Sequence, residues 1–407
     1  MKQKQSHFLI SGILLLGIVL RAPFTTMSTV LSDIASGLGV EVSSLGLLTS
    51  LPLLTFAIFS PFAASWAKRF GIERLFLVVL IVMTLGSALR TLNLPLLYVG
   101  TLLVGAGIAF INVLLPSLIQ ANQPDRLGFL TTLYITAMGL STAVASSVAV
   151  PITKASSWQG LVWVLTAVCA LALVVWLPNV RHNHYLEQET STSENSGSWY
   201  KSGKVWAIMI FGGLQSLFFY TTITWLPTMA TQAGVGEANA GILASVFTLT
   251  SIPFSMIVPS LITKLSNRNR HVMLVITVLA GFIGVAMLLV NTNSFVYWLV
   301  LNLLIGSSAS VLFPYMMVVF SMKASSPEKT AQLSGLAQTG GYIFAALGPV
   351  LFGSSQQLFN SWTPAVLILL VLTIIMGIAL YKVEKTDLIL YNQSLFSKNG
   401  TTNSTHS

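Results

Sequence analysis

GIVLRAPFTTM, residues 17–27, places an arginine in the middle of an apolar run that extends from about Phe8 to Leu31. A guanidinium keeps its proton under any biological condition. At mid-bilayer depth it costs at least ~2.5–3.5 kcal/mol on insertion scales. The run is nonetheless a membrane span, because about 20 apolar residues cross the hydrocarbon layer as a helix. Whatever tolerates Arg21 there has to come from elsewhere in the chain.

Of the 407 residues, 54% are hydrophobic and 8% charged, and the mean hydropathy is +0.81. Soluble proteins carry about 25% charged residues. A soluble fold is excluded, and an all-α integral membrane protein is expected. The net charge of +9 does not indicate nucleic acid, because the basic residues sit in short loops between apolar runs. Cys169 lies inside such a run and leaves no internal disulfide to form. The first run lacks a small-residue cleavage site and is long enough to span, so it reads as a helix rather than a signal peptide.

Runs fall near 8–32, 44–66, 72–92, 95–120, 127–152 and 158–178, then near 205–232, 239–263, 271–291, 295–322, 329–355 and 362–382. The spacing predicts twelve transmembrane helices in two six-helix halves, 1–180 and 205–383. A polar loop at 181–204 joins them, and a polar tail at 384–407 follows. With the N-terminus inside, 17 Lys and Arg face the cytoplasm and only Arg90 and Lys154 face out. That asymmetry predicts a multi-pass cell-membrane protein with both termini cytoplasmic.

The halves echo each other. NVLLP (112–116) matches SVLFP (310–314) at an offset of 198, and LGLLTSL (45–51) matches AGILASV (240–246) at an offset of 195. LYITAMG (133–139) matches LAQTGGY (336–342) more weakly. Two similar halves around a central cavity describe a transporter that binds at mid-membrane and rocks.

LRAPFTTMSTVLSDI, WAKRFGIERLF, GSALR, INVLLPSLI, LYITAMGLS, FFYTTITWLP, LFPYM and LAQTGGYIFAALGPVLFG occur in that order along the chain. Together they resemble the major facilitator superfamily, and within it the bacterial cyanate and 2-nitroimidazole permeases. The resemblance implies the major facilitator fold, alternating access and a monomer. Two departures stand out. The superfamily loop after the second helix reads roughly G-x-L-A-D-R-x-G-R-R, whereas this chain has Lys68 where the Asp would stand. The usual gating ion pair therefore does not carry over, while Arg69, Gly71 and Arg74 still suit a tight cytoplasmic turn. The family also places Pro directly after the first-helix arginine; here Ala22 intervenes before Pro23.

No buried carboxylate is expected to offset Arg21, since all eleven acidic residues fall in loops, tails or helix ends. Its reading is therefore a counter-charge for an anionic or electron-rich solute, against a structural arginine bonded to freed helix carbonyls. Arg90, at the outer end of the third run, reads either as an arginine snorkelling to headgroups or as part of an anion-attracting vestibule. Asn112, Tyr134, Gln215, Tyr220, Gln338 and Tyr342 are the neutral candidates. Of these, Gln338 and Tyr342 share a helix face four residues apart. Tyr315 and Trp225 are weaker candidates. Pro52, Pro116, Pro253, Pro314 and Pro349 are candidate bends.

No zinc spacing, catalytic Cys–His set or paired carboxylates occur, so neither an enzyme nor a cofactor is expected. The expected partners are a small-molecule solute and the lipid bilayer; with no mid-membrane carboxylate or histidine to mark a proton site, facilitated diffusion, exchange and coupling to a proton are all open. A multidrug-type exporter of neutral aromatic compounds, with Arg21 structural, is the alternative. A membrane sensor without transport is disfavoured, because the loop and tail are short and polar.

Overall fold

In a bilayer no water satisfies backbone N–H and C=O groups, so long apolar segments close their hydrogen bonds internally as helices. The computed structural model describes residues 8–41, 45, 47–186 and 202–389. Among them, eleven helices are long and apolar enough to cross a membrane. The twelfth long helix, Leu47–Phe70, has 24 residues. In chain order the first half comprises α1 (Leu9–Leu38), α2 (Leu47–Phe70), α3 (Ile72–Leu89), α4 (Leu94–Asn122), α5 (Leu127–Ala155) and α6 (Trp158–Trp176). The second comprises α7 (Gly203–Gln232), α8 (Glu237–Lys264), α9 (Asn267–Met287), α10 (Phe295–Met322), α11 (Pro327–Phe359) and α12 (Thr363–Lys385). Pro52, Pro116, Pro253, Pro314 and Pro349 all lie inside helices.

The two halves meet along α2 against α11, α5 against α8, and α4 against α11. One end of the bundle carries the turns after α2, α4, α8 and α10, rich in Lys and Arg, and is termed the basic end here. There a single apolar core runs through both halves, from Leu9, Phe56 and Phe76 to Phe211, Val319 and Val383. At the opposite end each half keeps a core of its own, around Ile34 and Trp158 in one and around Phe247 and Trp298 in the other.

Polar contacts between the halves follow the same division. Ser117 donates to the Pro327 carbonyl at 2.6 Å, Gln120 to the Ser321 carbonyl at 3.2 Å, and Ser321 to the Pro116 carbonyl at 3.1 Å. The hydroxyls of Thr132 and Ser260 are 2.8 Å apart. The bundle is thus closed at the basic end and parted at the other.

The ends of the predicted loop and tail that are described pack onto the bundle. Residues 181–186 are fixed to the α2–α3 turn, and α12 continues through Glu384, which is buried. Ile389 N–H bonds the Lys323 carbonyl at 2.8 Å. Residues 187–201 and 390–407 lie outside the described residues.

Candidate functional site

α1 is broken where the sequence is most unusual. Leu9–Val19 is α-helical, Ala22–Thr25 is one α-turn, Thr26–Val30 is 3₁₀ and Leu31–Leu38 is α-helical again. Arg21 sits in the gap, with φ −126° and ψ −51°. Pro23 lacks an N–H, and its ring would clash with the carbonyl four residues back, so the first segment ends before it. The same proline suits the first turn of the next segment. The Arg21 carbonyl caps that turn, accepting from the N–H groups of Phe24 at 3.0 Å and Thr25 at 2.9 Å.

The break turns the half-buried Arg21 side chain into a cavity of about 370 Å³ between the halves. The Tyr220 hydroxyl is within its hydrogen-bonding reach, and Tyr342 lies close by. Among the described residues Arg21 forms no ion pair, and it is the one charged side chain that lines the cavity. On the α11 side, Gln338 donates to the Asn112 carbonyl at 3.1 Å and to Ser334 at 2.8 Å, while Tyr342 donates to Gln338 Oε1 at 3.3 Å. Aromatic walls come from Phe24, Phe219, Phe247 and Phe313. The arrangement offers one fixed cation, amide and hydroxyl groups, and ring faces and edges, which suit a small planar solute with a negative or electron-rich end.

Arg21, Gln215, Tyr220, Gln338 and Tyr342 therefore share one cavity. Asn112 and Tyr134 do not line it. Asn112 is buried where α11 covers α4, and contributes its carbonyl instead. On α5 the cavity face is Ile135, Met138, Gly139 and Thr142, the 3–4 spacing of one helical stripe. Tyr134 falls one position off it, 2% exposed, with no partner for its hydroxyl among the described residues. Tyr315 also turns away, donating to Glu384 at 2.6 Å. Trp225 bonds the Pro349 carbonyl at 2.8 Å and packs on Trp362.

The four Phe walls were not singled out in the sequence. An apolar ring facing a cavity has the same letter as one facing lipid. Only Phe24, three residues after Arg21, and Phe219, beside Tyr220, carried a positional hint.

Arg90 departs from both sequence readings. It is 1% exposed and neither snorkels nor lines a vestibule. Its Nη1 donates to the Pro23 carbonyl at 2.7 Å.

At the basic end, Gly71 has φ +80°, and a Cβ there would lie 2.0 Å from Asn183. Asn183 donates to the Phe70 carbonyl at 3.1 Å and accepts from Arg74 N–H at 3.1 Å, and Arg74 Nη1 donates to the Tyr185 hydroxyl at 3.1 Å. Arg69 lies over the Phe70 ring, 5.5 Å from its centroid. Glu73, 1% exposed, accepts from His184 N–H at 2.6 Å, and its other oxygen is 2.6 Å from His184 Nδ1. That bond holds the His184 pKa above its usual value.

Three carboxylates at helix ends are thus buried rather than solvated: Glu73, Glu328 and Glu384. Lys68, which displaces the expected Asp, forms an ion pair with Glu328 at the start of α11. An inter-half pair exists here after all, built from a different residue set.

A twelve-helix bundle parted at one end, with an unpaired cation and polar groups in a central cavity, defines a solute carrier. The chain belongs to the Major Facilitator Superfamily, whose model matches residues 13–349. It is 33% identical over 382 residues to the uncharacterized transporter YycB of Bacillus subtilis (strain 168), spanning 93% of this chain and 94% of that one. It is also 33% identical over 377 residues to the 2-nitroimidazole transporter of Escherichia coli (strain K12), spanning 92% and 95%. Among solved structures, the proton:xylose symporter XylE superposes with a TM-score of 0.76 over 96% of this chain and 98% of that one. At 11% identity it bears on the fold alone. The chain is a multi-pass membrane transporter of the superfamily's 2-nitroimidazole and cyanate permease group, not an enzyme.

Proposed function

We propose that this carrier moves a small planar anion, or a neutral solute with an electron-rich group, and that Arg21 is the counter-charge. The observation that carries the reading is Arg21 itself, unpaired among the described residues and the one charge lining the cavity. A cation in a partly dehydrated cavity attracts an anion far more strongly than in water. Tyr220, Gln338 and Tyr342 supply neutral hydrogen bonds, and the Phe walls supply contact area for a flat ring. The relative that transports 2-nitroimidazole supports a planar, electron-rich solute.

With the excess of basic residues facing the cytoplasm, the closed basic end is cytoplasmic and the cavity opens outward. Alternating access then proceeds by parting the contacts of Gln120, Ser321 and Lys68 and closing the other end.

The test is uptake into proteoliposomes of cyanate, nitrite, benzoate and 2-nitroimidazole, with and without a pH gradient, by wild type and Arg21→Gln. Uptake of an anion that the variant loses supports the reading, and the gradient arm reports proton coupling. Transport of neutral 2-nitroimidazole alone, unchanged in the variant, overturns it. That result supports the second reading, an exporter of neutral aromatics with Arg21 satisfied by Tyr220. The aromatic walls favour that alternative.

A further inference from the structure

Arg90 is a large cation buried to 1% exposure, and transport as described above gives it no task. It caps the end of α3. Burying a guanidinium that deeply is unfavourable unless its donors are used. One donor is: Nη1 reaches the carbonyl of Pro23, 67 residues away in sequence. The Nε–H has no partner among the described residues. A cation suits the C-terminal end of α3, but the dipole does not require it to be buried or to reach α1.

Two features show that the surroundings are shaped for it. The stem of Arg90 passes Gly100 on α4, where a Cβ would lie 2.8 Å from Arg90 Cγ and 2.2 Å from the Gly86 carbonyl. Any larger residue there would push α3 away from α4 and carry Arg90 with it. The acceptor also sits at a special point. The last carbonyls of a short α-turn lack regular helical partners, and Ala22–Thr25 is a single turn. Ala22 C=O accepts from both the N–H and the hydroxyl of Thr26, the latter at 2.7 Å, and Pro23 C=O accepts from Arg90.

We infer that Arg90 is a positioning residue: it pins the α1 break at Pro23 and so holds Arg21, two residues earlier, at the angle that points into the cavity. The consequence for solute binding rests on Arg21 being the counter-charge; the pinning itself does not. A guanidinium suits the task because it stays charged and holds a planar donor geometry. Arg90 touches no solute and acts through the backbone of α1.

Two readouts test this separately on the purified full-length carrier. The first needs no solute: amide hydrogen exchange of wild type, Arg90→Gln and Arg90→Lys. Pinning predicts exchange at least about tenfold faster over residues 20–27 in Arg90→Gln, with residues 9–19 and 72–89 unchanged, and partial return in Arg90→Lys. Unchanged exchange over 20–27, or equal loosening everywhere, overturns the inference.

The second is benzoate uptake in proteoliposomes. Arg90→Gln is expected to raise KM about tenfold with maximal rate within about threefold. Arg90→Lys should bring KM back to within about threefold of wild type, in step with its partial recovery of exchange over 20–27. A raised KM without loosening of 20–27 overturns the positioning role. If 20–27 loosens while benzoate uptake is untouched, the pinning stands and the counter-charge reading fails. Should Arg90→Gln not reach the membrane, Arg90→Lys serves in its place and must loosen 20–27 while leaving 9–19 and 72–89 unchanged.

Discussion

Lys68 and Glu328 join the halves at the closed end, and removing Lys68 should shift the carrier toward its other conformation. Glu328 is 6% exposed and Lys68 32%, so the pair is neither a surface pair nor a fully buried one. Two unit charges at about 4 Å attract by ~4 kcal/mol at an effective dielectric of ~20. Part of this offsets desolvation. Exposed pairs are worth up to about 1 kcal/mol, and breaking a buried pair costs about 3–5 kcal/mol.

Glu328 is not left bare without Lys68, since Gln332 donates to it at 2.9 Å and it lies in the first turn of α11. The helix dipole there favours a carboxylate. Lys68→Ala should therefore cost the closed basic end about 2 kcal/mol, or roughly 30-fold in the conformational equilibrium. The assay is electron–electron resonance between nitroxides at Arg126→Cys and Lys264→Cys, exposed positions on opposite halves, with native Cys169 buried and unreactive. Lys68→Ala should populate a longer distance.

Reversing the pair, Lys68→Glu with Glu328→Lys, should restore most of the short distance. A lysine at a helix N-terminus loses about 0.3–1 kcal/mol, so recovery should stop within about fivefold of wild type. If the reversed pair behaves like Lys68→Glu alone, the electrostatic latch is refuted.

The other predictions concern the same end. His184 has a raised pKa, so its bond to Glu73 stabilises fully below its unfolded value near 6.5 and is lost as pH rises through the folded value. The thermal-stability gap between wild type and His184→Gln should then be widest below about pH 6 and narrow as pH rises, and a gap independent of pH would rule that out. Glu384→Ala leaves Arg270, 5% exposed and bonded to it at 2.6 Å, as an unpaired buried cation. It should destabilise by about 3–5 kcal/mol, whereas Arg270→Met with Glu384→Met should recover most of the loss in a melting assay. Gly71→Ala forces a left-handed residue against Asn183 and should cost at least about 1–2 kcal/mol; Asn183→Ala should relieve the steric part but not the backbone part.

Helix number and the pseudo-repeat were legible because apolar length and a constant offset survive in one dimension. Arg21 was legible for the same reason, as a charge where none belongs. Gln338 and Tyr342 were found through their four-residue spacing. Tyr134 was misplaced by one position, a rotation of about 100° on a helix, which no residue type could reveal. Arg90 was misread because its depth depends on the tilt and packing of α3 against α1 and α4. The partner it found is a backbone carbonyl, which every residue carries. No buried carboxylate was expected, because all eleven acidic residues fall in loops, tails or helix ends. In the folded bundle Glu73 is covered by the segment after α6, Glu328 pairs with Lys68 of α2, and Glu384 with Arg270 of α9.

Those covered ends reveal what the duplication fixed. Glu73 at the start of α3 is tied to His184 after α6, and Arg270 at the start of α9 is tied to Glu384 at the end of α12. The offsets between corresponding positions, 197 and 200 residues, fall within the range of the sequence repeat, 195 to 203. The acid and the base have exchanged places. What the architecture requires at this point is a neutralised cross-link from the third helix of each half to its sixth. A cross-link works with either sign at either end, provided the pair stays buried and matched. The choice of base has a consequence the geometry does not: arginine stays charged throughout the physiological range, whereas histidine releases its proton within it. Of the two equivalent clamps, only the first-half one loosens as pH rises, so any response of the basic end to alkaline pH through these clamps should begin at α3 and α6.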